Sequence, residues 1–268
     1  MTDSALHVVE HGAGLPLLAL HGLPGDHRIM TGCLEPLLGE RDDIRRVYPD
    51  LPGLGRSSGA GVSSTRDVLD AVDAFVTEAI GDEPFLLIGE SYGGYLARAL
   101  LQRRRHQVLG LALLCPSVVA DAAARRLPPR TVRRPDPDLV ASLEPAEADD
   151  FADVAVIESR ETLRRFRSDV APGLAVGDPT AVARVRADYA LDEPLERGEP
   201  VTVPTLIVAG RQDGIVGFLD QWDLVAHYPN ATFAVLDLAG HNLQFERPDL
   251  FEALVRDWLD RVATEPRR

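Results

Sequence analysis

The chain has 268 residues with a formal net charge of -14, and 45% of its residues are hydrophobic. That length fits one α/β domain, or one domain carrying an insertion, better than two independent domains. The acidic balance argues against nucleic acid or an anionic membrane as partner. The absence of any lysine excludes a lysine Schiff base, pyridoxal phosphate catalysis and a Walker A loop.

The predicted elements alternate along the first 115 residues. Strands are predicted at Leu6 to Gly12, Leu15 to Leu20, Arg45 to Asp50, Pro84 to Glu90 and Val108 to Cys115. The later runs are continuously apolar, as in sheets covered by helices on both faces. Thr65 to Ile80 has helical spacing, with Val68, Leu69, Val72, Phe75, Val76 and Ala79 on one side, and Ser91 to Arg105 reads as a second helix. This rhythm predicts a doubly wound, mostly parallel sheet. From residue 116 to 200 charges and prolines dominate. Arg125 to Asp138 reads as a loop, and Ala146 to Arg167 and Pro179 to Tyr189 as amphipathic helices. Strands return at Thr202 to Gly210 and Ala231 to Gly240, before a closing helix from Pro248 to about Val262. The expected organisation is therefore a core of residues 1–115 and 201–268, with 116–200 as a helical lid insertion.

No apolar run reaches the roughly 18 residues of a membrane span, and Met1 to Glu10 carries no signal-peptide pattern. Cys33 and Cys115 are far apart and lack metal-type spacing, so free thiols in a cytoplasmic protein are expected.

Ligands of a parallel sheet bind beyond the carboxyl ends of its strands. Four motifs fall there. Gly89-Glu90-Ser91-Tyr92-Gly93 is a G-x-S-x-G between a predicted strand and a predicted helix, the setting of a nucleophile elbow. A serine needs a base, and of the seven histidines His241 follows the last strand, third in the order Ser…Asp…His. His7, His11 and His106 read as surface positions, and His227 lies in a helix-like stretch. Asp213, leaving the strand that ends at Gly210, is the orienting carboxylate. Asp237 is its competitor but lies within a predicted strand, and Asp220 is further downstream. Two amides must receive the oxyanion: Tyr92, after the nucleophile, and Leu23, in the His21–Asp26 turn, where His21 reads as a structural hydrogen-bonder.

The motifs "HGLPGD", "YPDLPGLGRSS", "GESYGGYLAR", "AGRQD" and "LAGHN" together resemble the α/β-hydrolase superfamily. The likeness is nearest to its lidded group of proline iminopeptidases, C–C bond hydrolases and small esterases. It covers about Leu6 to Ser117 and Thr202 to Val262. It implies Ser91 as nucleophile, His241 as base, Asp213 as orienter, and Leu23 and Tyr92 as oxyanion donors, with no metal or organic cofactor. Serine rather than aspartate at the elbow argues against epoxide hydrolases and haloalkane dehalogenases. Pro24, Cys115, Val216 and Asn242 are the expected contacts for a small-molecule substrate. The expected activity is ester hydrolysis through an acyl-enzyme. The alternatives are C–C bond hydrolysis, an aminopeptidase whose substrate ammonium the Glu144–Asp150 run would hold, and a ligand-binding protein with little turnover. Glu90 has no assigned role.

Overall fold

A computed structural model describes residues 6–192, 195–196 and 198–265. Seven strands form one sheet: β1 (Val8–His11), β2 (Leu15–Leu20), β3 (Ile44–Pro49), β4 (Phe85–Glu90), β5 (Val108–Leu114), β6 (Thr205–Gly210) and β7 (Ala231–Leu236). Their order is β1-β3-β2-β4-β5-β6-β7. Among the described residues only the β1–β3 pairing is antiparallel.

Alternation along the strands builds two cores. Leu17, Ala19, Leu86, Ile88, Leu114 and Val208 face α1 (Arg28–Leu38) and the terminal helix Pro248–Thr264. Leu18, Leu20, Leu87, Leu111, Leu113 and Ile207 face α2 (Thr65–Ala79) and α3 (Tyr92–Arg103). Every residue of β4 is buried, as befits a strand with helices on both sides. Each fully buried leucine here contributes roughly 2 kcal/mol. Ser64 starts α2 through a capping box with Asp67: the Ser64 hydroxyl accepts the Asp67 amide and the Asp67 carboxylate accepts the Ser64 amide.

The sequence reading assigns no helix between β2 and β3, yet α1 is there. Pro36 inside the helix masks a buried stripe of Ile29, Met30, Cys33, Leu34, Leu37 and Leu38 at helical spacing. β6 begins at Thr205 rather than at Thr202, after Pro204, which has no amide to donate. β7 stops at Leu236, so Asp237 lies just beyond the strand rather than within it.

Between β5 and β6 the chain is helical: α4 (Pro137–Ala141), α5 (Pro145–Val154), α6 (Arg160–Arg165), a π-helical turn (Phe166–Val170), α7 (Ala171–Val176) and α8 (Pro179–Ala187). The single helix expected from Ala146 to Arg167 is broken at residues 155–159. Ser159 caps a new helix by accepting the Thr162 amide at 3.1 Å. The Ile157 amide donates to Glu246 Oε1 at 3.0 Å, and the Val156 amide to the same oxygen at 2.5 Å. These bonds hold the segment against the core instead of in a helix. After β6 come the short helices α9 (Leu219–Trp222) and α10 (Leu243–Glu246), and Pro248–Thr264 is α11.

Candidate active site

Ser91 stands between β4 and α3 with φ 52° and ψ −115°. A non-glycine residue in such a conformation stores on the order of 1–3 kcal/mol. Its surroundings hold it there: the Ser91 amide donates to Leu114 O at 2.9 Å, and its carbonyl accepts the Ser117 amide at 2.9 Å. Glycine is required on either side. A Cβ on Gly89 would overlap the Gly93 carbonyl, and one on Gly93 would overlap the Leu20 carbonyl.

The loop after β7 brings His241 to this serine. His241 Nε2 lies 2.8 Å from Ser91 Oγ, and Nδ1 lies 2.9 Å from Asp213 Oδ2. Asp213, fully buried, sits in the loop after β6, and its other oxygen accepts the amides of Ile215 (2.8 Å) and Val216 (3.1 Å). Those amides leave Oδ2 for the imidazole Nδ1–H. Burial alone would push the Asp213 carboxyl up, but His241 and the two amides hold it below the ordinary carboxylate range. Burial would lower His241, yet Asp213, and after it Glu90, raise it to about 9. The competitor Asp237 is solvated and accepts from Gln212 Nε2 at 2.8 Å and from Arg133 at 3.1 Å.

The Leu23 and Tyr92 amides have no hydrogen-bond partner among the described residues. Tyr92 opens α3, so its amide carries the partial positive charge of a helix N-terminus. His21 shapes the opposite loop. Its ring is fully buried, with Nδ1 2.8 Å from Gly22 O and Nε2 accepting the Leu51 amide at 2.9 Å. Nδ1 must therefore carry the proton, and burial pushes the imidazole below its usual value.

The four expected substrate contacts divide. Pro24 is half-buried in the loop beside Leu23. Cys115 is fully buried with φ 40°, and burial pushes its thiol well above the usual range, so it is a small apolar residue on the site floor. Val216 serves Asp213 through its amide. Asn242 precedes α10 and borders an apolar void of about 10 Å³ with Phe151, Phe166 and Phe245. Larger surface clefts of about 570 and 660 Å³ lie elsewhere, one around Ser58–Ser63 and Arg184, the other around Ser142, Arg160 and Arg167. Ser91 itself is only 7% exposed.

Three further groups escaped the sequence reading. Glu246 accepts from Gly240, Val156 and Ile157, joining the His241 loop to the helical segment. Arg125 donates to Val119 O, Ile215 O and Ser117 Oγ, tying that segment to the Asp213 loop. Asp50, fully buried, binds His27 Nδ1 at 2.7 Å and the amides of His27 and Arg56. It also bonds His7 Nδ1 at 2.9 Å, so His7 is not the plain surface residue expected. The donor atoms of His7, His27 and Asp50 are close enough to enclose an ion, but these four bonds already occupy the carboxylate.

Residues 16–248 match the family described as the alpha/beta hydrolase fold. The chain belongs to this family. An alpha/beta superfamily hydrolase from Oenococcus oeni PSU-1 superposes with a TM-score of 0.90 at 29% identity, covering 98% of each chain. A 2-hydroxymuconate semialdehyde hydrolase from Pseudomonas sp. (strain CF600) is 29% identical over 264 residues, 93% of this chain and 88% of its own. A lipase, LipV, from Mycobacterium tuberculosis is 33% identical over 146 residues, 53% of this chain and 52% of its own. The alpha/beta hydrolase fold explains why the three aligned groups come from strand ends distant in sequence. No helix of the described residues is long and apolar enough to cross a membrane.

Proposed function

We propose that the protein is a serine hydrolase acting on a small-molecule ester or related acyl compound. The observation that carries this reading is the imidazole of His241, with one nitrogen on Ser91 Oγ and the other on a buried carboxylate. In this mechanism Ser91 Oγ attacks the acyl carbon as His241 Nε2 takes its proton. Asp213 holds the Nδ1–H tautomer and stabilises the imidazolium. The Leu23 and Tyr92 amides receive the oxyanion; losing one such donor typically costs on the order of 100- to 1,000-fold in kcat. The imidazolium then protonates the leaving group, and water, deprotonated by His241, releases the acid.

The near-closed site supports reading residues 116–200 as a lid. Ser91 is 7% exposed, and the Glu246 and Arg125 bonds fasten this segment to the loops that carry His241 and Asp213, where a lid would have to open. Buried free thiols at Cys33 and Cys115 fit a reducing compartment such as the cytoplasm. A net charge of -14 fits a small-molecule substrate rather than a nucleic acid or membrane partner.

The test is a fluorophosphonate probe with p-nitrophenyl acetate and butyrate as substrates. Native protein should label at Ser91 and turn over the esters, and Ser91→Ala should do neither. An unlabelled Ser91, or full ester turnover by Ser91→Ala, removes the proposal.

C–C bond hydrolysis is the second reading, favoured by the 2-hydroxymuconate semialdehyde hydrolase relative. It would use the same three residues, and steady-state rates on 2-hydroxymuconate semialdehyde against those on esters separate the two. The aminopeptidase reading loses its carboxylates: Glu147 is bonded to Arg167, while Glu144, Asp149 and Asp150 lie on a solvated helix face.

A further inference from the structure

Glu90 is the part of the elbow that the mechanism above leaves unused. It ends β4 and is 2% exposed. Its Oε1 lies 3.4 Å from His241 Nε2, the same nitrogen that faces Ser91 Oγ at 2.8 Å. Its Oε2 is buried with no hydrogen-bond partner among the described residues. The carboxyl lies against Gly22 of the oxyanion loop, where a Cβ would overlap Oε2 and press on Ser91 Cβ. An orphaned buried oxygen is costly, and a hydrophobic side chain would fill the space without that cost.

One imidazole is thus flanked by two buried carboxyls, Asp213 at Nδ1 and Glu90 at Nε2. Other ionisable groups face this cluster from every side. Arg125, from the helical segment, acts against protonation of His241. Glu246, on α10, feels Asp213. The thiols of Cys33 on α1 and Cys115 after β5 feel Glu90, but burial keeps both protonated. Burial pushes the Glu90 carboxyl up to about 7, against the pull of His241. Glu90 and His241 therefore titrate as a pair.

The proton has two resting places. On His241 Nε2, drawn there by a charged Glu90, it leaves Ser91 without a base. On Glu90, it frees the Nε2 lone pair and removes a negative charge from beside the oxyanion loop. We propose that Glu90 is a positioning residue acting through His241: its carboxyl contends with Ser91 for the imidazole Nε2, so that the charge on Glu90 governs whether Ser91 has a base. This inference rests on the hydrolase reading of Ser91 and His241.

The experiment compares the pH dependence of kcat/KM on p-nitrophenyl acetate for the native protein, Glu90→Gln and Glu90→Asp. Removing the charge should move the acidic limb to lower pH by about one unit or more, and Glu90→Asp should bring it back toward the native position. A Glu90→Gln limb coinciding with the native one overturns the inference, however far the rate falls. Failure of the hydrolase reading itself appears separately, as loss of fluorophosphonate labelling at Ser91. In that event a titration of the His241 ring nitrogens by NMR, assigned by difference from His241→Asn, still decides. A lower midpoint in Glu90→Gln supports the inference, and an unchanged one overturns it.

Discussion

At the scale of single residues, His241 sets activity against stability. Its folded value of about 9 is above the ordinary imidazole, because Asp213 and Glu90 outweigh burial. A raised base contributes stability that is fully present below about pH 6.5 and is lost as pH rises through about 9. The form that contributes it is the imidazolium, which cannot accept the proton of Ser91. Melting temperature should therefore fall across the interval in which kcat/KM rises. Thermal melts and rate profiles from about pH 5 to pH 10 check this, and in His241→Asn that part of the melting decline should vanish. Asp213→Asn should keep the fold and lower kcat by about 10⁴-fold, since an amide favours the wrong tautomer. Asp50, by contrast, is needed for the fold. Burial would raise its carboxyl, but the His27 ring and the amides of Arg56 and His27 hold it far below the ordinary range. Its stability contribution is present above the ordinary carboxylate value and is lost in acid below it. Asp50→Ala should cost roughly 3 kcal/mol in chemical denaturation, because it leaves four partly buried donors without their acceptor.

At the scale of elements, the link between α10 and the helical segment matters most. Glu246 reaches from α10 to the break after α5, and to Gly240 beside His241. Replacing it with alanine should cost about 2–3 kcal/mol, since three backbone donors lose their acceptor. Limited proteolysis should then cut near residues 155–159 faster than in the native protein, with kcat reduced as the His241 loop loosens. Unchanged cleavage would show that the segment is held by its apolar contacts instead. The sequence reading missed this joint for a definable reason. Helical periodicity continues through Ala146 to Arg167, and nothing local marks the carboxylate about 90 residues away that captures the Val156 amide. The masking of α1 is different in kind: its apolar stripe was present in the chain, hidden by Gly32 and Pro36.

At the scale of the whole molecule, two cores clasp the sheet and fix the distances between its strand ends. Trp258 is fully buried in one of them and donates to Pro204 O at 3.0 Å, pinning α11 to the approach of β6. Trp258→Ala should cost about 3–5 kcal/mol. At temperatures where the variant remains folded, fluorophosphonate labelling should continue, because the site lies at the far, carboxyl ends of the strands.

The sequence by itself determined the βα rhythm, the mostly parallel sheet and the names of Ser91, Asp213 and His241. Each of these follows from local patterns: apolar runs, glycine spacing, and position after a strand. Only the tertiary structure decided what those residues touch. The loops after β4, β6 and β7 are brought within hydrogen-bond distance by strand pairing over more than a hundred residues. The same holds for Glu90, whose neighbours in the chain say nothing of its role. Its place beside His241 Nε2, and against a glycine that leaves it room, comes from the convergence of three loops. Charge and burial act through space, so the groups that tune this site could be located only once the chain was folded.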